Sequence, residues 1–218
     1  MGKISILTST QREILDQIAK SEYIVEHFYL TGGTALSEYY LQHRYSEDLD
    51  FFSEQKYDTQ IIVTFINELS KKYGFTYELE LIEMLYRYSI RFPNNEQLKL
   101  DFSYYPGKRV EKGKKINGIT IDSLLDISIN KLSTLEQRYN VKDYVDLYFL
   151  FNKYSVWDLI EGARVKFNME IEPWILGTDF LYVEKFDFLP KMIKPLTLDE
   201  LKNFFRELAK KLGKKVVV

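Results

Sequence analysis

Acidic and apolar residues alternate in the segment Asp-Leu-Asp-Phe-Phe at residues 48–52, and this pattern constrains the fold more than any other. Side chains of a β-strand point alternately to its two faces, so Leu49 and Phe51 are expected to pack in a core. Asp48 and Asp50 then share the opposite face, about 6–7 Å apart. Because acids are disfavoured in strands and like charges repel, the segment predicts a half-buried strand whose two carboxylates need a cation.

A cation that binds carboxylate oxygens is typically Mg²⁺ or Mn²⁺, and substrate phosphates often complete its coordination. A third acid fits this arrangement, because residues 97–105 also alternate and place Asp101 on the polar face of their strand. We therefore expect Asp48, Asp50 and Asp101 to hold the metal. The alternative is an ordinary solvent-facing strand with surface aspartates.

The triplet Gly32-Gly33-Thr34 lies between an apolar segment at residues 27–30, predicted as a strand, and a predicted helix at residues 35–42. Glycine lets the backbone approach a phosphate closely, and the start of a helix offers unpaired N–H groups. By itself, a glycine pair is usually a tight turn. With fourteen residues between Gly33 and the first acid of the strand, the combination predicts a site for a triphosphate and its metals.

The remaining pattern divides the chain into a sheet-forming part and a helical part. Apolar residues at helical spacing predict helices at residues 8–22 and 61–69, the second ended by Gly74. Further strands are predicted at residues 75–83, 85–92, 97–105 and 116–121, and further helices, including one at 197–212, after residue 122. We therefore predict an α+β fold, a mixed β-sheet flanked by helices and followed by a helical C-terminal half.

Composition excludes several classes of function. The chain has no cysteine and two histidines, which excludes disulfides, cysteine-based metal sites and thiol nucleophiles and argues against a His-rich metal centre. Its apolar runs are shorter than the roughly 18–20 residues that a bilayer helix needs, and no signal-peptide pattern begins the sequence. We expect a cytoplasmic protein without membrane association.

The formal net charge of −2 conceals two basic segments. Residues 99–115 contain six basic and two acidic side chains, and residues 181–218 contain nine and five. Local basicity can serve an anionic partner even when the total charge is negative. We predict that a basic loop at residues 107–115 contacts an RNA backbone, whereas the C-terminal segment is equally well explained as a solvated surface.

Three motifs together resemble the AbiEii/AbiGii toxin family of the DNA polymerase β nucleotidyltransferase superfamily. They are Gly-Gly-Thr-Ala-Leu at residues 32–36, His-Arg-Tyr-Ser-Glu-Asp-Leu-Asp-Phe-Phe at 43–52, and Lys-Asp-Tyr-Val-Asp-Leu-Tyr at 142–148. The resemblance implies Mg²⁺-dependent transfer of a nucleoside monophosphate from an NTP to an acceptor. It also implies a toxin with an antitoxin protein as partner, since relatives act in toxin–antitoxin or phage-defence pairs and some modify tRNA 3′ ends.

The resemblance also assigns roles to residues of the sheet-forming part. Residues 32–34 would bind the triphosphate, and Ser46 would assist with its hydroxyl group. Asp48 and Asp50 would hold the metals, and Asp101 would be the third carboxylate, often the general base in the superfamily. The implied domains are a nucleotidyltransferase α/β catalytic domain at residues 1–121 and a helical C-terminal domain at residues 122–218, packed against it.

In the helical part, Lys131 and Arg138 lie seven residues apart, two turns along one predicted helix face. Two cations on one side can bind triphosphate oxygens and offset charge that develops during phosphoryl transfer, although snorkelling surface side chains are the alternative. The family pattern points to Lys131 and to Asp143, which would orient a cation or contact the base or ribose. Asp146 is either functional or paired with Lys142.

Some alternatives stay open at this point. Arg44 would neutralise phosphate or pair with Glu47 or Asp50. At the level of function, the acceptor of the transferred nucleotide could also be a small molecule such as an aminoglycoside. Two further alternatives are a catalytically silent nucleotide- or partner-binding module and a protein whose main surface binds an antitoxin.

Overall fold

A computed structural model describes residues 5–214 of the chain as two compact units. The first, which we call the sheet unit, contains the chain up to Tyr40 together with Ser46–Lys108 and Lys112–Ser123. The second, the helical unit, contains the chain from Leu124 onward and two short segments, Leu41–Tyr45 and Arg109–Glu111. The predicted domains were each continuous, with one boundary after residue 121, and their functional labels stay predictions.

The sheet unit is built on one mixed sheet of seven strands in the order β3-β4-β5-β2-β1-β7-β6. The strands are β1 (Tyr29–Thr31), β2 (Leu49–Ser53), β3 (Thr76–Ile82), β4 (Leu85–Arg91), β5 (Gln97–Tyr104), β6 (Lys114–Ile116) and β7 (Ile119–Ile121). β2 pairs with β5, and β1 with β7, in parallel, whereas the other neighbours are antiparallel. The predicted α+β class with a mixed sheet is confirmed.

The centre of this sheet follows the alternation seen in the sequence. In β2, Leu49 and Phe51 are almost fully buried, while Asp50 is partly exposed. Phe51 stacks on Phe102 of the neighbouring strand β5. The apolar face of β2 therefore closes the core, and the acidic face is left on the opposite side.

Four helices belong to the sheet unit: α1 (Ser9–Ile18), α2 (Glu22–His27), α3 (Gly32–Leu36) and α4 (Thr59–Tyr73). α1 begins with a capping box in which Thr8 and Gln11 bond each other's backbone N–H groups. α4 ends at Gly74, whose left-handed φ of 69° is easily adopted by glycine. A π-helical turn at Ser37–Leu41 continues directly from α3.

The structure corrects three predicted elements near the N-terminus and in the basic region. The helix predicted at residues 8–22 is interrupted, because a second N-cap at Ser21 starts α2, which runs through His27 and delays the strand. The strand predicted at residues 116–121 is a hairpin, since Asn117 and Gly118 both have positive φ and connect β6 to β7. Asn-Gly is a strong hairpin signal. Because of this hairpin, Lys114 and Lys115 of the predicted basic loop lie on strand β6.

The helical unit contains α5 (Leu124–Thr134), α6 (Val141–Leu150), α7 (Val156–Phe167), α8 (Pro173–Leu181), a 3₁₀ turn (Tyr182–Lys185) and α9 (Leu198–Lys214). Its core is rich in aromatic residues, with Tyr144, Phe180 and Phe205 fully buried and in contact through their rings. The helical C-terminal half is thus confirmed. Among residues 5–214, no helix combines the length and apolar composition needed to cross a bilayer.

Candidate functional site

The sheet unit brings its three predicted acids to the central strands, and we call Asp48, Asp50 and Asp101 the carboxylate cluster. Asp50 of β2 lies in register with Asp101 of β5 on one side and with Thr31 of β1 on the other. Asp48 directly precedes β2, and Asp48 and Asp50 are both partly exposed. The sheet register therefore places carboxylates side by side, as the alternation predicted.

Gly32 borders the carboxylate cluster more closely than any side chain would permit. A Cβ atom at this position would lie 2.0 Å from Asp50 Oδ2, and the φ of Gly32 is +72°. Both facts require glycine, because a larger residue would displace the carboxylate and strain the backbone. The glycine pair was predicted to approach a phosphate, and the structure adds that its first member makes room for Asp50.

Thr34 and Ser46 lie beside the cluster and are connected to its backbone. The buried Thr34 hydroxyl donates a hydrogen bond to the backbone carbonyl of Asp48. The side-chain amide of Gln11 donates to the carbonyl oxygens of Ser46 and Glu47, at 3.3 and 3.0 Å. These contacts fix the chain that leads into β2, and the Ser46 side chain stays partly exposed.

Asp101 has a cationic partner that sequence reasoning missed. It is only 5% exposed, and Arg87 of β4 binds both of its oxygens, with Arg87 Nη2 2.8 Å from Asp101 Oδ2. These hydrogen bonds, and also the nearby charge of Asp48, raise the pKa of Arg87 above its ordinary value. Arg87 and Asp101 are paired across the antiparallel β4–β5 ladder, so the missing information was the strand register.

The donor set fits a hard cation that shares its coordination with a substrate. Within the described residues, no group of three or more His, Cys, Asp or Glu side chains is arranged as a metal-ion site. Asp48 and Asp50 nevertheless present two partly exposed carboxylates, while Arg87 engages Asp101. Mg²⁺ typically binds one or two carboxylates together with phosphates and water rather than an all-protein cage. The cluster matches that pattern.

The helical unit contains a second set of charges, formed by His43, Arg44, Lys131, Asp143 and Asp146, which we call the buried charge network. Asp146 is its centre and is fully buried. Arg44 donates from Nε and Nη2 to Asp146 at 2.6 and 2.8 Å. Lys131 Nζ and His43 Nε2 lie 2.8 and 2.7 Å from the same carboxylate. Asp146 was predicted to be functional or paired with Lys142, and its observed partners are instead these three residues.

Lys131 is held between two aspartates. Its Nζ lies 2.7 Å from Asp143 Oδ1 as well as within reach of Asp146, and the residue is 9% exposed. Arg138 also contacts Asp143, with Nε 3.3 Å from Oδ2, although its own side chain is 62% exposed. Orientation of these cations by Asp143 was one of the alternatives left open by the sequence. Because α5 ends at Thr134, the two cations do not share one helix face as predicted.

Burial and charge act in opposite directions on the ionisation of this network. Burial opposes the charged form of Asp146, but Arg44 and Lys131 overcome it and hold its pKa well below the ordinary range. Burial likewise would lower the pKa of Lys131, whereas Asp146 and Asp143 raise it above its ordinary value. For His43 burial dominates and lowers the pKa. At neutral pH Asp146 and Lys131 are therefore ionised, and His43 is neutral.

Backbone contacts fix the segment that supplies His43 and Arg44. The N–H groups of Ile193 and Lys194 donate to the carbonyl of His43 at 2.8 and 3.0 Å. Arg44 also forms an isolated antiparallel bridge with Met192. No sequence pattern links Arg44 to Asp146, because 102 residues separate them; the buried pairing is a property of the tertiary fold.

Comparison with known proteins identifies the family. The family model for the nucleotidyl transferase AbiEii toxin of type IV toxin–antitoxin systems matches residues 13–215. An uncharacterized protein of Aquifex aeolicus (strain VF5) is 32% identical over 212 residues, 94% of this chain and 96% of that protein.

Two solved structures share the fold. A proposed nucleotidyltransferase from H. pylori has a TM-score of 0.59 at 24% identity, covering 96% of this chain and 97% of that chain. The nucleotidyltransferase toxin MenT4 from Mycobacterium tuberculosis H37Rv has a TM-score of 0.52 at 14% identity, covering 92% and 82%. With the family match across both units, the chain belongs to the AbiEii nucleotidyl transferase toxin family.

Proposed function

We propose that this protein transfers a nucleoside monophosphate from an NTP to an acceptor hydroxyl with the help of Mg²⁺ or Mn²⁺. The observation that carries the proposal is the register of the central strands, which sets Asp50 beside Asp101 and against Gly32, with Asp48 just before β2. Partly exposed carboxylates are suitable ligands for the hard cation that accompanies an NTP. Family membership supports the same reaction class.

In the proposed reaction the acceptor oxygen attacks the α-phosphorus, the bond from that phosphorus to the bridging oxygen breaks, and pyrophosphate leaves. Asp48 and Asp50 would hold the metal, which supplies neutralisation of phosphate charge when bound. Asp101 would take the proton from the acceptor hydroxyl. A carboxylate has about four lone-pair sites, so an oxygen that already accepts from Arg87 keeps a site for a proton.

Lys131 and Arg138 are the cations that we propose as phosphate contacts, as the family pattern implies. Contacts with Asp143 and Asp146 hold the Lys131 ammonium group in place. An ammonium group has three hydrogen-bond donors. One donor is therefore left for a phosphate oxygen. Asp143 and Asp146 would act as positioning residues for Lys131, and the exposed Arg138 would be a second phosphate contact.

The acceptor is proposed to be RNA, tRNA included, and the natural protein partner an antitoxin. The segment at residues 107–115 exposes four lysines to solvent: Lys108, Lys112, Lys114 and Lys115. Phosphate neutralisation by such lysines contributes sequence-independent affinity that weakens as salt rises. Asp126 fixes the middle of the segment, since it accepts from the backbone N–H groups of Val110 and Glu111 at 3.0 and 2.9 Å.

A transfer assay tests the proposal. The protein is incubated with Mg²⁺, each of the four NTPs labelled at the α-phosphate, and either total RNA or an aminoglycoside. Label should move to RNA with the wild type and not with Asp48→Ala, whereas Asp16→Asn, a change of an exposed acid on α1, should retain the activity. Label on an aminoglycoside in place of RNA would replace the acceptor, and no transfer from any NTP would overturn the proposed reaction.

A further inference from the structure

Arg87 of strand β4 has hydrogen-bond donors to spare. Its Nε and Nη2 groups donate to the buried carboxylate of Asp101 over distances of 2.8–3.2 Å. Within residues 5–214 its Nη1 group donates to no protein atom, and the side chain is 30% exposed. A guanidinium group has five N–H donors in a fixed planar arrangement. Arg87 can therefore bind Asp101 and a ligand at the same time.

The register of the sheet places Arg87 in one row with the carboxylate cluster. From β1 to β4, the paired residues of this row are Thr31, Asp50, Asp101 and Arg87. Gly32, the first residue proposed to bind the triphosphate, directly follows Thr31. The triphosphate residues and Arg87 therefore lie at opposite ends of the row, with the acids between them.

Two further cations lie on the same face of the sheet unit. Side chains of a strand alternate between its two faces, so on β4 Arg91 shares the face of Arg87. On β5, Lys99 shares the face of Asp101 and is paired with Ser89, between the two arginines. Arg91 and Lys99 are exposed. We call Arg87, Arg91 and Lys99 the β4–β5 patch.

Acids border the β4–β5 patch on both sides. Asp50 lies two strands from Arg87 on one side. On the other side, Glu78 and Glu80 of the edge strand β3 are paired with Ser89 and Arg87. Because like charges repel, such a pattern fixes the position of a bound anion as well as attracting it. An anionic chain is thereby confined to β4 and β5.

We propose that the β4–β5 patch binds the phosphate backbone of an RNA acceptor and that Arg87 contacts a phosphate close to the attacking hydroxyl. In the proposed reaction Asp101 takes the proton of that hydroxyl, so the acceptor lies next to Asp101. Arg87 touches the same carboxylate, and guanidinium groups bind phosphate through paired hydrogen bonds. Asp101 already fixes the side chain, which lowers the entropy cost of binding. The inference rests on the proposed nucleotidyl transfer and names a contact for its acceptor.

RNA binding in the absence of NTP tests the patch. The probe is a fluorescein-labelled RNA hairpin with a single-stranded 3′ end, titrated by fluorescence anisotropy at several salt concentrations. Arg87→Gln should weaken binding about tenfold. The slope of log affinity against log salt should fall by about 0.7, the value for one phosphate contact with a single strand. Arg91→Gln should weaken binding less, because its exposed side chain loses more freedom on binding.

Arg87→Lys separates a phosphate contact from a purely structural role. Lysine keeps a positive charge beside Asp101 but lacks the planar fork of the guanidinium group. This variant should melt close to the wild-type temperature and bind RNA nearly as weakly as Arg87→Gln. Wild-type RNA affinity in Arg87→Lys would show that Arg87 only neutralises Asp101, and the assignment would be overturned.

Nucleotide binding shows which substrate Arg87 contacts. The α,β-methylene analogues of the four NTPs, titrated with Mg²⁺, should bind Arg87→Gln as tightly as the wild type. Weaker nucleotide binding with unchanged RNA affinity would place Arg87 in the triphosphate site and overturn its assignment to the acceptor.

Lys71→Gln is the matched control, since it removes an exposed cation of α4. α4 packs on the opposite face of the sheet, where Tyr77 donates to Asn67. RNA affinity and salt slope should stay at their wild-type values. Equal slopes in the wild type, Arg87→Gln and Lys71→Gln would overturn the assignment and leave the proposed reaction standing. Absence of label transfer from every NTP would instead overturn the proposed reaction, and the salt slope would still report the RNA contact.

Discussion

The carboxylate cluster and the buried charge network differ in the solvent exposure and the ion pairing of their acids. In the cluster, Asp48 and Asp50 are partly exposed. The third acid, Asp101, is bound by Arg87, whose side chain is 30% exposed. In the network, Asp146 is completely buried and each of its oxygens accepts from a cationic side chain. Asp48 and Asp50 therefore still face solvent, whereas Asp146 does not.

This difference in exposure determines how each group of acids is stabilised. Exposed carboxylates lose little hydration on folding, so a protein can keep them ready for a metal at small cost. Buried ions lose their hydration and need complete pairing, and removal of one partner is then severe. We therefore expect substitution of Asp146 to act mainly on stability and substitutions of Asp48 or Asp50 mainly on activity.

The largest expected effect is that of Asp146→Ala. The change leaves Arg44 and Lys131 buried without their shared anion, and breaking such a pair costs about 3–5 kcal/mol. Urea denaturation should report this loss in the free energy of unfolding. Asp50→Asn should alter the same quantity little while abolishing nucleotide transfer.

Arg164→Ala provides the control for Asp146→Ala, because Arg164 pairs with Glu161 on an exposed helix face. Exposed pairs contribute little to stability. Equal effects of Arg164→Ala and Asp146→Ala would show that the network does not stabilise the fold. A large loss of stability in Asp50→Asn would equally erase the contrast between the two regions.

Gly32→Ala should have the next largest effect and should act on both stability and activity. The new Cβ would meet the Asp50 carboxylate at 2.0 Å with φ at +72°, and a non-glycine residue in this backbone region costs about 1–3 kcal/mol. Gly213→Ala, where nothing lies within 4 Å of the added carbon, should leave both properties intact. Full activity in Gly32→Ala would contradict the packing of Gly32 against Asp50.

Arg87→Gln tests whether the carboxylate cluster accepts a metal. Removing the guanidinium leaves Asp101 beside Asp50 without its cation, so Mg²⁺ should stabilise this variant more than the wild type. A gain of 1 kcal/mol corresponds to roughly 2–4 °C in melting temperature for a chain of this size. The difference should vanish with EDTA, and Arg91→Gln, an exposed change on the same strand, should respond as the wild type does.

The smallest expected effect is a pH dependence of stability that originates in the network. Burial lowers the folded-state pKa of His43 below its ordinary 6.5. Below about pH 6.5 the unfolded chain therefore binds a proton that the folded protein rejects, and stability falls as the pH decreases. Urea denaturation at pH 7 and pH 5 should show this loss in the wild type and a smaller loss in His43→Gln.

A second, more acidic step should follow from Asp146. Its folded-state pKa lies well below the ordinary 3.8, so its stabilising contribution is complete above that value and is lost as the pH falls through the folded-state pKa.

Identical losses of stability between pH 7 and pH 5 in the wild type and in His43→Gln would show that His43 does not cause the first step.

The sequence predicted the carboxylate cluster better than the network because local periodicity determines it. Alternation alone placed Asp50 and Asp101 on polar strand faces, and the sheet then aligned them. Arg87 escaped prediction because only the β4–β5 register pairs it with Asp101. That register depends on which strands become neighbours, which is a tertiary property.

The network shows the same limit over a longer span. Asp146 and Arg44 come from segments 102 residues apart, and no periodic pattern links them. Family resemblance had pointed to Lys131 and Asp143, and the structure adds the acid that both Lys131 and Arg44 contact. By contrast, the dipeptide Asn117-Gly118 is a local hairpin signal from which the turn between β6 and β7 could have been predicted.

The pairing of Asp50 with Thr31 and Asp101 has a consequence for quality control of the protein. Because strand side chains alternate, a slip of β2 by one residue would turn Leu49 and Phe51 toward water and bury the acids. The same backbone hydrogen bonds thus assemble the core and align the acids. A chain misaligned at this strand displays apolar surface, so an inactive molecule of this kind would be recognisable to chaperones and proteases as misfolded.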